Sequence, residues 1–116
     1  MPLDLSQLGG VTPLNPGRFA LAAVDNSAGD FVDVPEGARY VEITLTAASA
    51  AYFIAGASTV VVGDVVLESG VAKAHTPQIA ANSTIWLDMS GVERLFFLSA
   101  SGTPAVINGT FYSVVL

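Results

Sequence analysis

Short apolar runs, broken by turn residues at intervals of roughly 8–12 positions, constrain this chain more than any other feature. Val41, Ile43 and Leu45 alternate with Glu42, Thr44 and Thr46. That period of two describes a strand with one face in a core and one in water. Val60-Val61-Val62 and Val65-Val66 are β-branched runs that disfavour helix. The strands expected from Arg18 onward are Arg18–Val24, Asp30–Val34, Ala38–Ala47, Tyr52–Ala55, Thr59–Val62, Val65–Leu67, Thr84–Met89, Val92–Ala100 and Ala105–Leu116. Between them lie Asp25-Asn26-Ser27-Ala28-Gly29, Pro35-Glu36-Gly37, Glu68-Ser69-Gly70, Ser90-Gly91 and Ser101-Gly102-Thr103-Pro104, whose residue types cap their own backbone or accept positive φ. Pro77 argues against a central strand in Val71–Pro77, and Ile79–Ser83 reads as a loop. Ala47–Ala51 reads as a loop, with a short helix as the alternative.

Such spacing predicts an all-β fold, an antiparallel β-sandwich or jelly roll. Arg94–Ser99 carries large apolar groups on both faces (Leu95 and Phe97, Phe96 and Leu98), so it should be covered from both sides. Asn108-Gly109 reads as a hairpin turn or a bulge. Leu45–Ser49 leading to Ile54-Ala55-Gly56 is echoed by Leu98–Gly102 leading to Ile107-Asn108-Gly109. If that echo has structural meaning, it marks equivalent hairpins in two halves of the fold.

The first 17 residues hold Pro2, Pro13, Pro16, Gly9, Gly10 and Gly17, a density that opposes regular structure. Leu3, Leu5, Leu8, Val11 and Leu14 are nevertheless apolar, which a free polar tail would not be. The division expected is an extended N-terminal arm, residues 1–17, and one β-sandwich domain, residues 18–116. The arm either packs on its own domain or crosses to a neighbouring subunit. Its five apolar residues are then an assembly interface, and deleting Met1–Gly17 should leave a folded domain that assembles less well.

At 116 residues the chain supports one core. Only 12% of its residues are charged, against 52% hydrophobic. So little charge suggests a surface partly covered by other chains. The formal charge of −6 argues against nucleic acid and against anionic lipid as partners. No window is long and apolar enough to span a bilayer. No basic residue precedes Arg18, so no secretion signal is expected and the chain should remain in the cytoplasm until it joins an assembly.

Chemistry-bearing residues are sparse. There is no cysteine, which removes disulfides, thiolate catalysis and sulfur-ligated zinc. His75 is the single histidine, with only Lys73 and Thr76 beside it, and reads as an exposed loop residue. Asp25, Asp30, Asp33 and Glu36 are the densest acids, but the spacing fails the calcium loop in which alternate residues supply oxygen, leaving calcium at Asp25–Asp30 open. Asp64 with Glu68, and Asp88 with Glu93, read as solvated strand ends and not as a hydrolase pair. Asn82-Ser83-Thr84 and Asn108-Gly109-Thr110 match a glycosylation pattern but read as turns. No catalytic, metal or cofactor residue is expected, and the chain reads as non-enzymatic. Trp86 shares a face with Thr84 and Asp88, so it is either an exposed ligand-binding aromatic or an aromatic that packs over the edge of the core or in a subunit interface.

The Pro/Gly-rich segment Pro2–Gly17, the turn Val34-Pro35-Glu36-Gly37 before an alternating strand, and Arg94-Leu95-Phe96-Phe97-Leu98-Ser99 leading into the last strand give the chain a familiar character. It resembles the small all-β structural proteins of tailed-bacteriophage virions, the head decoration or cement proteins among them. The resemblance covers most of the chain in character and carries over no residue-by-residue role. It implies a virion location and a mechanical function, in which a homo-oligomer, trimer or dimer, binds the major capsid protein or another virion protein and stabilises the capsid. Avidity over several capsid subunits would strengthen a weak single contact. The alternative is a receptor- or glycan-binding sandwich of a phage tail or spike, which an exposed pair of aromatics beside Trp86 would favour.

Overall fold

The structure is a computed structural model and describes residues 11–60 and 77–114. Leu3, Leu5, Leu8, His75 and the expected strand Val65–Leu67 lie outside the described residues, as does the second half of Thr59–Val62. Eight strands are described: β1 (Val11–Val24), β2 (Asp30–Asp33), β3 (Tyr40–Thr46), β4 (Ala51–Gly56), β5 (Gln78–Ile79), β6 (Thr84–Asp88), β7 (Arg94–Ser99) and β8 (Ala105–Val114). Ala47–Ala50 is a loop, as expected. Ile79, the first residue of the loop expected over Ile79–Ser83, forms with Gln78 a two-residue strand against Ala51 and Tyr52.

The strands form two antiparallel sheets, ordered β1-β8-β3-β6 and β2-β7-β4-β5. β1 pairs with β8, β2 with β7, β3 with β6, and β4 with β5. The chain is thus one long hairpin wound around a single core, and of the two architectures expected it is the jelly roll. The echo falls on β3–β4 and β7–β8, which are not hairpins. Both connections cross from one sheet to the other, and they run side by side, with Ala100 N–H donating to Ala50 O at 3.0 Å.

The core lies between the sheets. Val41, Ile43, Leu45, Leu95, Phe97, Ala105 and Ile107 are each 0% exposed. They occupy alternate positions on their strands, as one buried face requires. The outer groups of β7, Phe96 and Leu98, are buried as well, packed by Tyr52, Ile54 and Val60. Arg94–Ser99 is therefore covered on both faces, as its sequence requires. Among the described residues, Ser99 is the buried polar side chain. Its hydroxyl donates to Thr103 O at 2.9 Å and accepts from Ser101 N–H at 3.3 Å, which satisfies it.

Two expectations need correction. Val11–Gly17 packs on its own domain, one of the two placements expected, but it does so as the first half of β1, in register with its own β8 from Val11↔Val114 to Pro13↔Tyr112, so the boundary at Gly17 falls inside a strand. The prolines are tolerated because β1 is an edge strand, and the register breaks between Pro13 and Arg18. Val11 and Leu14 are half-buried on their own domain, and Leu14 packs against the core. Deleting Met1–Gly17 would therefore strip half a strand from β8, so truncation after Gly10 is the cleaner cut.

Asn108-Gly109 is neither turn nor bulge. Both residues sit inside β8, paired with Ala20 and Phe19 on one side and with Thr44 and Ile43 on the other. The glycine is there because the Phe19 ring lies over it, where a Cβ would collide with the ring and approach Glu42 O to 3.0 Å. That ring stacks on Phe111 (5.3 Å) and Phe97 (6.4 Å) across the core.

Candidate binding site

Alternation puts Tyr40, Glu42 and Thr44 on the outer face of the β1-β8-β3-β6 sheet, because Val41, Ile43 and Leu45 face the core. The register then builds rows across the sheet. Asp88, Tyr40, Tyr112 and Pro13 form one row, and Trp86, Glu42, Thr110 and Arg18 form the next. A third holds Thr84, Thr44, Asn108 and Ala20, with the Thr44 and Thr84 hydroxyls 2.9 Å apart.

Trp86 on β6 and Tyr112 on β8 reach over β3 and meet with ring centroids 5.0 Å apart at 38°. Tyr40 is the direct neighbour of Tyr112. All three are half-buried, so each keeps an accessible side. Desolvation pushes the Tyr112 phenol above its ordinary pKa, and the Glu42 carboxylate adds to the rise. The phenol therefore stays protonated and able to donate at neutral pH. At the Tyr40 end, the Arg39 guanidinium lies 5.7 Å from the Tyr40 centroid and 3.5 Å from the Asp88 carboxylate. At the Tyr112 end, the irregular stretch of β1 rises beside the sheet. Pro13, Asn15, Pro16, Arg18, Thr110 and Tyr112 are among the residues lining a cleft of about 720 Å³ there.

The opposite outer face, on the β2-β7-β4-β5 sheet, is different in kind. Phe31, Phe96 and Ile54 form one row, and Leu98, Tyr52 and Gln78 the next. Phe31 is 42% exposed, the most of any large apolar side chain described. Arg94 lies over its ring at 3.7 Å and pairs with Asp33 at 2.9 Å. The Arg94 guanidinium also donates to Val60 O at 3.4 Å, tying the segment after β4 to this face.

The acidic loop is spent on its own backbone. Asp25 Oδ1 accepts from the amides of Gly29 (2.8 Å), Ala28 (2.9 Å) and Ser27 (3.1 Å). Those bonds, Gly29's foremost, hold the carboxyl below the ordinary carboxylate range. Asp30 accepts from Phe31 N–H. Among the described residues, no three acids or imidazoles converge as cation ligands would. Since the folded state depresses the Asp25 pKa, its contribution to stability is complete above the unfolded value. That value is about 3.9, and the contribution is lost as pH falls below it and through the lower folded value. Asp25→Asn should therefore flatten the stability profile on the acid side of pH 4 or so, read by urea denaturation at stepped pH; an unchanged profile would remove the carboxylate from this role.

No family model, curated protein or solved structure matches this chain. The sequence singled out Trp86 but not its partners. Tyr112 and Tyr40 are visible as aromatics in alternating strands, yet only the winding of β6 and β8 about β3 brings them together.

Proposed function

We propose that this protein is a non-enzymatic structural protein of a virion, a decoration or cement subunit that binds and stabilises a capsid. The observation that carries the reading is the outer face of the β2-β7-β4-β5 sheet, where Phe31 stands 42% exposed beside the half-buried Ile54 and Tyr52, which cover Phe96 and Leu98, and the Asp33–Arg94 pair is the charge on the described rows. Such a face suits a protein partner better than water. The jelly roll supports the reading by analogy, since viral capsid domains use it, though a fold by itself does not assign a function. The partner is the major capsid protein or another virion protein, and the subunit acts as a dimer or trimer whose copies share the load. The protein inventory of purified virions tests this. The chain is expected as a stoichiometric particle component, and particles without it overturn the proposal.

A second reading has its own observation. The Trp86–Tyr112 pair, with Tyr40 beside it on the other outer face, favours a receptor- or glycan-binding module of a tail or spike. Lectin domains also use the jelly roll.

A further inference from the structure

The geometry points to an oligosaccharide site that runs across the strands of the β1-β8-β3-β6 sheet, from the Trp86–Tyr112 rings into the cleft beside β1. This inference rests on the second reading and specifies its ligand and its residues.

Three features converge on this ligand. A pyranose presents a flat face of C–H groups and a rim of hydroxyls. Trp86 and Tyr112 offer adjoining aromatic surface for the face, on a rigid sheet and not on a loop. The rim meets mixed donors and acceptors on the same rows: the Glu42 carboxylate, the Thr110 hydroxyl, the Tyr112 phenol and the Arg18 guanidinium.

The third feature is length. The Trp86, Glu42, Thr110 and Arg18 row crosses four strands, hence three inter-strand gaps. At the usual spacing of about 4.8 Å the row spans roughly 14 Å, room for about three pyranose rings. Trp86 lies at one end, Tyr112 reaches toward it over β3, and the cleft lined by Pro13, Asn15, Arg18, Thr110 and Tyr112 itself lies at the other. A concave wall with a few placed polar groups at the end of an aromatic platform is how a site gains orientation as well as area. Neutral sugars suit it, because the Glu42 carboxylate sits in the same row as Arg18 and the chain is acidic overall.

Trp86 is the single tryptophan, so its fluorescence reports on this site alone. The full chain is titrated with maltotriose, cellotriose and chitotriose and with the matching monosaccharides, following tryptophan emission and backbone amide shifts. At least one trisaccharide should change the emission and bind about tenfold tighter than its monosaccharide. Trp86→Ala should weaken it about tenfold or more, while Trp86→Phe stays within about threefold. Arg18→Ala should weaken the trisaccharide about tenfold and so remove its advantage over the monosaccharide. Melting curves of each variant confirm that it is folded. Amide shifts on another face, with Trp86 silent, overturn this site and leave the glycan-binding reading standing. An Arg18→Ala variant that keeps the advantage overturns the extension into the cleft. No response to any sugar overturns site and reading together. So does emission that changes with protein concentration alone, which would make the platform a self-association surface.

Discussion

Replacing Phe97 by alanine is expected to destabilise the fold by about 3–5 kcal/mol, the range for truncating a large buried aromatic. Phe97 is 0% exposed at the centre of β7, with Phe53 and Asp30 as its neighbours across the strands. Its ring stacks on Phe19 from the opposite sheet, centroids 6.4 Å apart. The cavity would therefore open between the sheets, where neither can collapse without breaking the register that holds the other. Phe31→Ala is the control. Its ring is 42% exposed and loses mainly the Arg94 contact, so about 1–2 kcal/mol is expected. Chemical denaturation of the two variants reads the difference. Equal losses, or a Phe97 loss below about 1 kcal/mol, would mean that the two sheets do not close on this residue.

Phe97 also shows what in the fold was legible. A run with large apolar groups at every position has only one comfortable place in a sandwich, the middle of a sheet covered on both sides, and Arg94–Ser99 sits there. The strict alternation of Val41, Ile43 and Leu45 placed β3 and its outward face. What misled was punctuation. Asn108-Gly109 carries the composition of a turn, yet the glycine answers a ring from another strand, Phe19, and not a local reversal. Pro13 and Pro16 argue for irregular chain, yet an edge strand needs amides on one side only, and a register break absorbs the remainder. Both errors have one cause. Local residue preference carries no information about the neighbour that overrides it. The candidate site is half legible for the same reason: alternation puts Trp86 on one face with Thr84 and Asp88, but its meeting with Tyr112 depends on which strands β3 separates.

The same distinction between local and imposed constraint separates Gly29 from Gly37. Both take positive φ, +67° and +87°. Gly37 closes the turn in which Ala38 N–H donates to Pro35 O, and a Cβ there meets nothing within 4 Å. Gly37→Ala should therefore cost only the backbone strain, about 1–2 kcal/mol. At Gly29 a Cβ would drive into the Phe97 carbonyl oxygen and come within 2.7 Å of the Phe96 ring. The carbonyl belongs to a paired central strand and cannot yield as a side-chain tip does. Gly29→Ala adds overpacking to the strain, and about 2–5 kcal/mol is expected. The damage should be local in a telling way. Gly29 delivers the chain into β2, and β2 places Phe31 and Asp33 on the apolar outer face beside Arg94. Hydrogen exchange should then rise first at the amides of Asp30–Asp33, and binding through that face should weaken before the fold is lost. A Gly29→Ala variant no less stable than Gly37→Ala, with β2 still protected, would mean that β2 does not seat against β7 as closely as described, and the proposed docking face around Phe31 would go with it.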